Sequence, residues 1–265
     1  MSISFRTLEK NTLRDYILTA AAAIFLAMGK MSGEFPLFVF LGIAPLFSLF
    51  YNQQKEGSAK RPLIIKIFIV LLFAFLCWNL TYSGLSFIDW LLPIVYSLAI
   101  ALSFVFYSFT DKYAKSRLGF LTFVIYWLAI EFLMLQVCPE FSRFFLATAF
   151  NEHSSLISWN IHTGFMGVSL WILLVNILFY HAIFKDDAIF NGNIKWRKMA
   201  FTLVIICVPF FFNTGGDAII RQDLLQGLPA MEKQISGSGE YIGKTATWVS
   251  ILLLLYSFVK REIKK

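Results

Sequence analysis

Charge is scarce in this sequence: Asp, Glu, Lys and Arg make up 15% of its 265 residues, against 58% hydrophobic ones. A water-soluble chain of this length has too little interior to hide so much apolar surface, so its solvent must be lipid. Cysteine is as sparse. Cys77, Cys138 and Cys207 lie far apart and form no CxxC pair, which excludes a disulfide framework and a zinc site built on one. The three histidines, His153, His162 and His181, share no helical face with carboxylates, so neither metal nor cofactor is expected. Basic residues outnumber acidic ones by 23 to 16 but sit beside apolar segments and form no basic module, which argues against a nucleic-acid partner. No small-x-small site follows the first apolar block, so no cleavable signal peptide is expected. Strand-like alternation is absent too.

What the sequence does contain is long apolar blocks. Eight run over roughly 16–29, 35–51, 63–82, 90–109, 118–137, 163–184, 199–213 and 245–260. In lipid every backbone group must be satisfied within its own segment, so these blocks are helices. The fold class expected is an all-α integral membrane protein, a bundle of about eight transmembrane helices. The first and seventh blocks are short for a span of about 20 residues, so they are tilted or longer than drawn. With the N-terminus inside, 18 of the 23 basic residues fall on inner loops, and Lys30, Arg143, Arg221, Lys233 and Lys244 remain outside. The positive-inside rule then places both termini in the cytoplasm. Three regions result: helices 1–7 in 1–212, an outer polar loop in 213–244, and helix 8 with a basic tail in 245–265. Between helices 5 and 6, "EFSRFFLATAF" is rich in aromatics and is expected to lie as an arm at the membrane interface.

Few side chains invite chemistry. Glu131, in "YWLAIEFLML", is an ionisable group inside a helix; it either marks a functional path or bonds to another helix or to Trp and Tyr groups. Asn79, His162 and Asn176 either line a cavity or pin helices together, and His162, at a helix start, reads as interfacial. The small residues of "TGFMG" (163–167) are expected to favour close helix packing. Nothing assembles a nucleophile, a base and oxyanion donors, so no catalytic residue is assigned. Cys138 is the sole cysteine near the outer face, with only Glu140 and His153 as candidate bases.

One further pattern carries a resemblance. "WLAIEFLMLQ", a Phe-rich stretch and "ISWNIHTGFMGVSLWILLVNILFY" together resemble the membrane domain of bacterial apolipoprotein N-acyltransferases. The matching positions are Trp127, Glu131, Trp159, Thr163, Gly164, Gly167, Ser169 and Asn176. "EFPLFVFLGIAPLFSLF" looks like that family's F-P-x-F…P-L segment, through Phe35, Pro36, Pro45 and Leu46. There are departures: "PEFSRFF" replaces a Pro-Trp pair in the arm, and no acid precedes Thr163 at Ile161 or His162. The family also inserts a periplasmic nitrilase-like domain before its last helix, with a Cys nucleophile and Glu and Lys partners. Here that slot holds about thirty residues and no cysteine. "NTGGDAIIRQDLLQGLP" and "GEYIGK" are similar to the downstream edge of that domain, which implies that the domain was lost by deletion, decay or design. An unrelated polar loop is the alternative.

The resemblance implies a bacterial inner-membrane protein with 213–244 in the periplasm. It also implies a catalytically incomplete scaffold for phospholipid or lipoprotein, with Glu131, Trp127, Trp159, His162, Asn176 and Arg143 as lipid-binding or structural polar residues. A membrane subunit completed by a separate catalytic protein, and a transporter-like bundle, are the alternatives.

Overall fold

A computed structural model describes residues 2–31, 36–56, 60–82, 86–114, 119–157, 159–211 and 240–263. Its helices are α1 (Ser2–Met31), α2 (Val39–Gly42), α3 (Ala44–Glu56), α4 (Lys60–Asn79), α5 (Phe87–Ala114), α6 (Phe120–Val137), α7 (Asn160–Phe179), α8 (Trp196–Phe211) and α9 (Glu240–Ile263). No strand occurs among the described residues. Seven segments are long and apolar enough to cross a membrane. The protein is an all-α polytopic membrane bundle.

The seventh expected span, α8, is helical, but its described 16 residues fall short of a crossing. The first is longer than its apolar block: α1 runs for thirty residues, and its apolar part is Thr12–Met31. The last helix begins at Glu240, five residues before the expected start, so 240–244 belong to it. The rest of the polar loop lies outside the described residues.

Burial places the centre of the bundle. The Pro36–Gln53 span has 78% of its residues buried and His162–Asp187 has 72%, against 22% for Tyr241–Ile263 and 28% for Thr12–Met31. Hence α2, α3 and α7 form the middle, while α1 and α9 show most of their surface to lipid. Contacts run from α1 to α4, α4 to α5, α5 to α6, and α6 to α7, with α9 laid across α6 and α5. Gly243 allows that last contact: a Cβ there would press into the Phe132 ring of α6.

Three prolines break the helical ladders, and a neighbouring polar side chain mends each break. Proline donates no N–H, and its ring obstructs the carbonyl four residues back. Pro93 thus leaves the carbonyl of Asp89 without its helical donor, and Asn79 Nδ2 of α4 supplies one at 3.1 Å. Pro209 does the same to Ile205, whose carbonyl receives Trp171 Nε1 of α7 at 3.2 Å.

The break ahead of Pro45 is the largest. The residue before a proline resists the helical conformation, and the span divides at Ile43 into α2 and α3. Asn176 of α7 fills the gap. Its Oδ1 accepts from the N–H groups of Ile43 (2.8 Å) and Ala44 (3.0 Å), and its Nδ2 donates to the carbonyls of Val39 and Ile172 (both 2.9 Å). All of this is buried, where an unpaired backbone group would cost most.

Two sequence expectations gain detail. The arm runs as two stretches of 3₁₀ helix over Pro139–Phe144 and Leu146–Ile157 and turns its aromatic side chains inward. Phe141, Phe144, Phe145, Leu146 and Phe150 are buried in the bundle core. Irregular backbone at such a place is stable because protein, not lipid, surrounds it. The "TGFMG" glycines serve α7 itself: Gly164 adopts φ 63°, ψ −171°, open to glycine alone, and a Cβ on Gly167 would collide with Thr163 of the same segment.

Candidate functional site

The inserted arm connects three polar or concave features. The first is Glu131, fully buried on α6. One oxygen, Oε1, accepts from Trp127 Nε1 one turn back (2.9 Å), from the Tyr96 hydroxyl of α5 (3.3 Å) and from the Leu146 N–H of the arm (3.4 Å). Ser169 of α7 approaches the same carboxyl group. Glu131 Oε2 and Ser169 Oγ have no hydrogen-bond partner among the described residues. Around Tyr96 the rings of Phe75, Phe141, Phe144 and Phe145 stack or tilt at centroid distances of 4.9–6.3 Å. The carboxyl group therefore ties α5, α6 and the arm together inside an aromatic shell.

The second feature surrounds Arg143. Its Nη1 meets Asp89 Oδ1 at the start of α5 at 2.7 Å, and its guanidinium lies over the Tyr82 ring at 5.3 Å. Its backbone carbonyl accepts from Lys30 Nζ of α1 at 2.7 Å. Lys30 also donates to the Tyr82 hydroxyl (2.8 Å) and packs over the Trp78 ring. Burial pushes the Tyr82 hydroxyl up to about 12 against the opposing pull of Arg143, so the phenol stays neutral and accepts from Lys30. Two cations, an acid and two aromatic rings thus clamp α1, α4, α5 and the arm. The cluster acts as a lock.

The third feature is concave. A groove of about 530 Å³ runs from Pro36 and Phe40 past His153 and Leu156 of the arm to Leu203 and Phe210 of α8. Its walls are almost wholly apolar. His153, in its lining, is one of five residues over 151–163 with a buried polar atom that has no partner among the described residues: Asn151 Oδ1, His153 Nε2, Trp159 Nε1, Asn160 Oδ1 and Thr163 Oγ1. Trp159 is joined to the groove by ring contacts, 5.8 Å to Trp171, which in turn meets Phe40 at 4.7 Å and Phe210 at 5.9 Å. Buried polar groups are normally paired. His153 Nε2 in the wall of an apolar groove, with four more such atoms in the same stretch of chain, suits a ligand with polar atoms at the head of a long apolar tail.

The residues singled out in the sequence divide accordingly. Glu131 and Trp127 bond to each other, and Arg143 reaches them through the arm. Trp159 stands beside the groove. His162 is exposed at the start of α7, its N–H bonded to the Trp159 carbonyl at 3.1 Å. Asn176 lies away from both clusters and holds the α2–α3 break. Cys138 ends α6, its N–H bonded to Met134 O at 3.0 Å. No group of three His, Cys, Asp or Glu side chains among the described residues could hold a metal ion.

Sequence reasoning missed Lys30, Tyr82 and Asp89, because charged residues at helix ends read as loop charges. It also missed Asn151 and Asn160, for which sequence offers no signal. No family model, curated protein or solved structure matches the chain.

Proposed function

We propose that this chain is a membrane scaffold that holds the acyl tail of a phospholipid or lipoprotein in the groove between the arm, α2 and α8, and does not complete acyl transfer alone. The observation that carries this reading is the pairing of an apolar groove of ligand size with His153 Nε2 in its wall and four further polar atoms of 151–163, none with a partner among the described residues. The tail would occupy the apolar walls, and ester or amide groups would meet His153, Trp159 and Asn160. The sequence resemblance to the membrane domain of apolipoprotein N-acyltransferases supports the same ligand class. With the distribution of basic residues, it also supports a bacterial inner membrane, cytoplasmic termini and a periplasmic 213–239 segment.

The test uses purified protein in phospholipid micelles with a peptide bearing a lipidated N-terminal cysteine. The chain is expected to retain the peptide without acylating it, and Leu203→Trp, which fills the groove, should cut retention at least about fivefold, roughly 1 kcal/mol. An N-acylated product made by this chain alone would overturn the scaffold reading.

A further inference from the structure

A second cleft, of about 790 Å³, opens on the opposite face of α7 and α8. It is independent of the groove and of the function proposed for it. Its deep wall is apolar, built from Leu174 and Leu178 of α7, Leu121 of α6, and Phe201 and Ile205 of α8. Its mouth is polar, with Tyr51, Tyr180, His181, Lys185 and Asp111. Asp111, His181 and Lys185 fall in the last turns of the apolar spans Phe87–Ala114 and His162–Asp187. That is the depth at which lipid headgroups begin, and Leu174 lies about two turns further in.

The local backbone determines which charges face this mouth. The helix widens into a π turn over Tyr180–Phe184, a departure that recurs at functional sites. Two aspartates then take left-handed conformations, Asp186 at φ 58° and Asp187 at φ 56°, which costs of order 1–3 kcal/mol each. Both acids also have basic or amide partners of their own. Asp187 bonds Arg14 Nη1 at 3.0 Å and Asn52 Nδ2 at 3.1 Å, and Asp186 lies 3.8 Å from Lys195. His181 has Lys185, Lys198 and Lys195 as its cationic neighbours and Asp186 as an acidic one.

We propose that this cleft binds an anionic phospholipid from the leaflet at that end of the bundle. The phosphate would sit against Lys185, Lys198 and His181, with an acyl chain between α7 and α8. Basic pockets between membrane helices are suited to such headgroups. Asp111, on the α5 wall, favours a singly charged phosphodiester over a multiply charged head.

Native mass spectrometry of the detergent-solubilised full chain tests this with phosphatidylglycerol, phosphatidylcholine and glycerol phosphate as probes. Phosphatidylglycerol should be retained at least about fivefold better than phosphatidylcholine, and glycerol phosphate should not be retained. Lys185→Gln with Lys198→Gln should abolish the preference, while Lys55→Gln with Arg197→Gln, an equal charge loss, should leave it intact. Leu178→Trp should displace the lipid with all charges kept. Equal retention of the two lipids, equal loss in both double variants, or retention of glycerol phosphate would overturn the proposal.

Discussion

Replacing Asn176 with leucine is expected to destabilise the bundle by about 3–5 kcal/mol, the largest effect of any single polar substitution considered. The estimate follows from three backbone groups losing their partners at once: the N–H groups of Ile43 and Ala44 and the carbonyl of Val39. Each orphaned buried group costs about 1–3 kcal/mol, and lipid offers no substitute partner. Leucine keeps asparagine's branched skeleton of side-chain heavy atoms, so no cavity is left and lost packing adds little. Asn176→Asp should fall between: a carboxylate still accepts from both N–H groups but cannot donate to Val39. Thermal unfolding in detergent measures the total. Hydrogen exchange localises it, because Ile43 and Ala44 should exchange much faster in the leucine variant while α5 and α6 keep their protection. Unchanged exchange at those two amides would mean that Asn176 does not hold the break.

Glu131→Leu is expected to cost about 2–4 kcal/mol, since it strips the acceptor from Trp127 Nε1, Tyr96 Oη and the Leu146 N–H together. Hydrogen bonds between membrane helices average nearer 0.6 kcal/mol in measured cases. The figure here is higher because one of the three donors is a backbone amide in irregular structure. Glu131→Gln keeps a carbonyl oxygen at the Oε1 position and should retain more than half of the stability. The loss should appear first in the arm: limited proteolysis over 139–157 should accelerate in Glu131→Leu and stay near wild type in Glu131→Gln. Equal acceleration in both would show that the negative charge, rather than the acceptor, holds the arm.

The two substitutions also mark how far the sequence could be read. Hydropathy alone defines the bundle, because a run of about 20 apolar residues in a chain so poor in charge has one stable solution. It fails at Ile43, where Pro45 divides an apolar block that reads as continuous. It fails again in the arm, because Phe141, Phe144 and Phe145 have the same composition whether they float at an interface or plug a core. Only Tyr96, Phe75 and Glu131, supplied by three other helices, decide between the two. Glu131 stood out as an ionisable residue in an apolar run, yet two of its three donors lie 15 and 35 residues away in the chain. Asn79, Trp171 and Asn176 follow a rule visible only in three dimensions, each serving backbone that a proline on another helix left exposed. The polar atoms of 151–163 that lack a partner among the described residues leave no trace in hydropathy at all.

The central claim concerns where an acyl chain sits, and a phospholipid carrying a photoactivatable group on its acyl tail tests it most directly. After irradiation of the purified protein in such lipid, adducts at the arm's end of the bundle are predicted to concentrate on Pro36, Leu37 and Leu41 and on Leu203, Cys207 and Phe210, and to fall sharply in Leu203→Trp. Adducts spread evenly over the lipid-facing surfaces of α5 and α9, and unchanged by Leu203→Trp, would contradict the account.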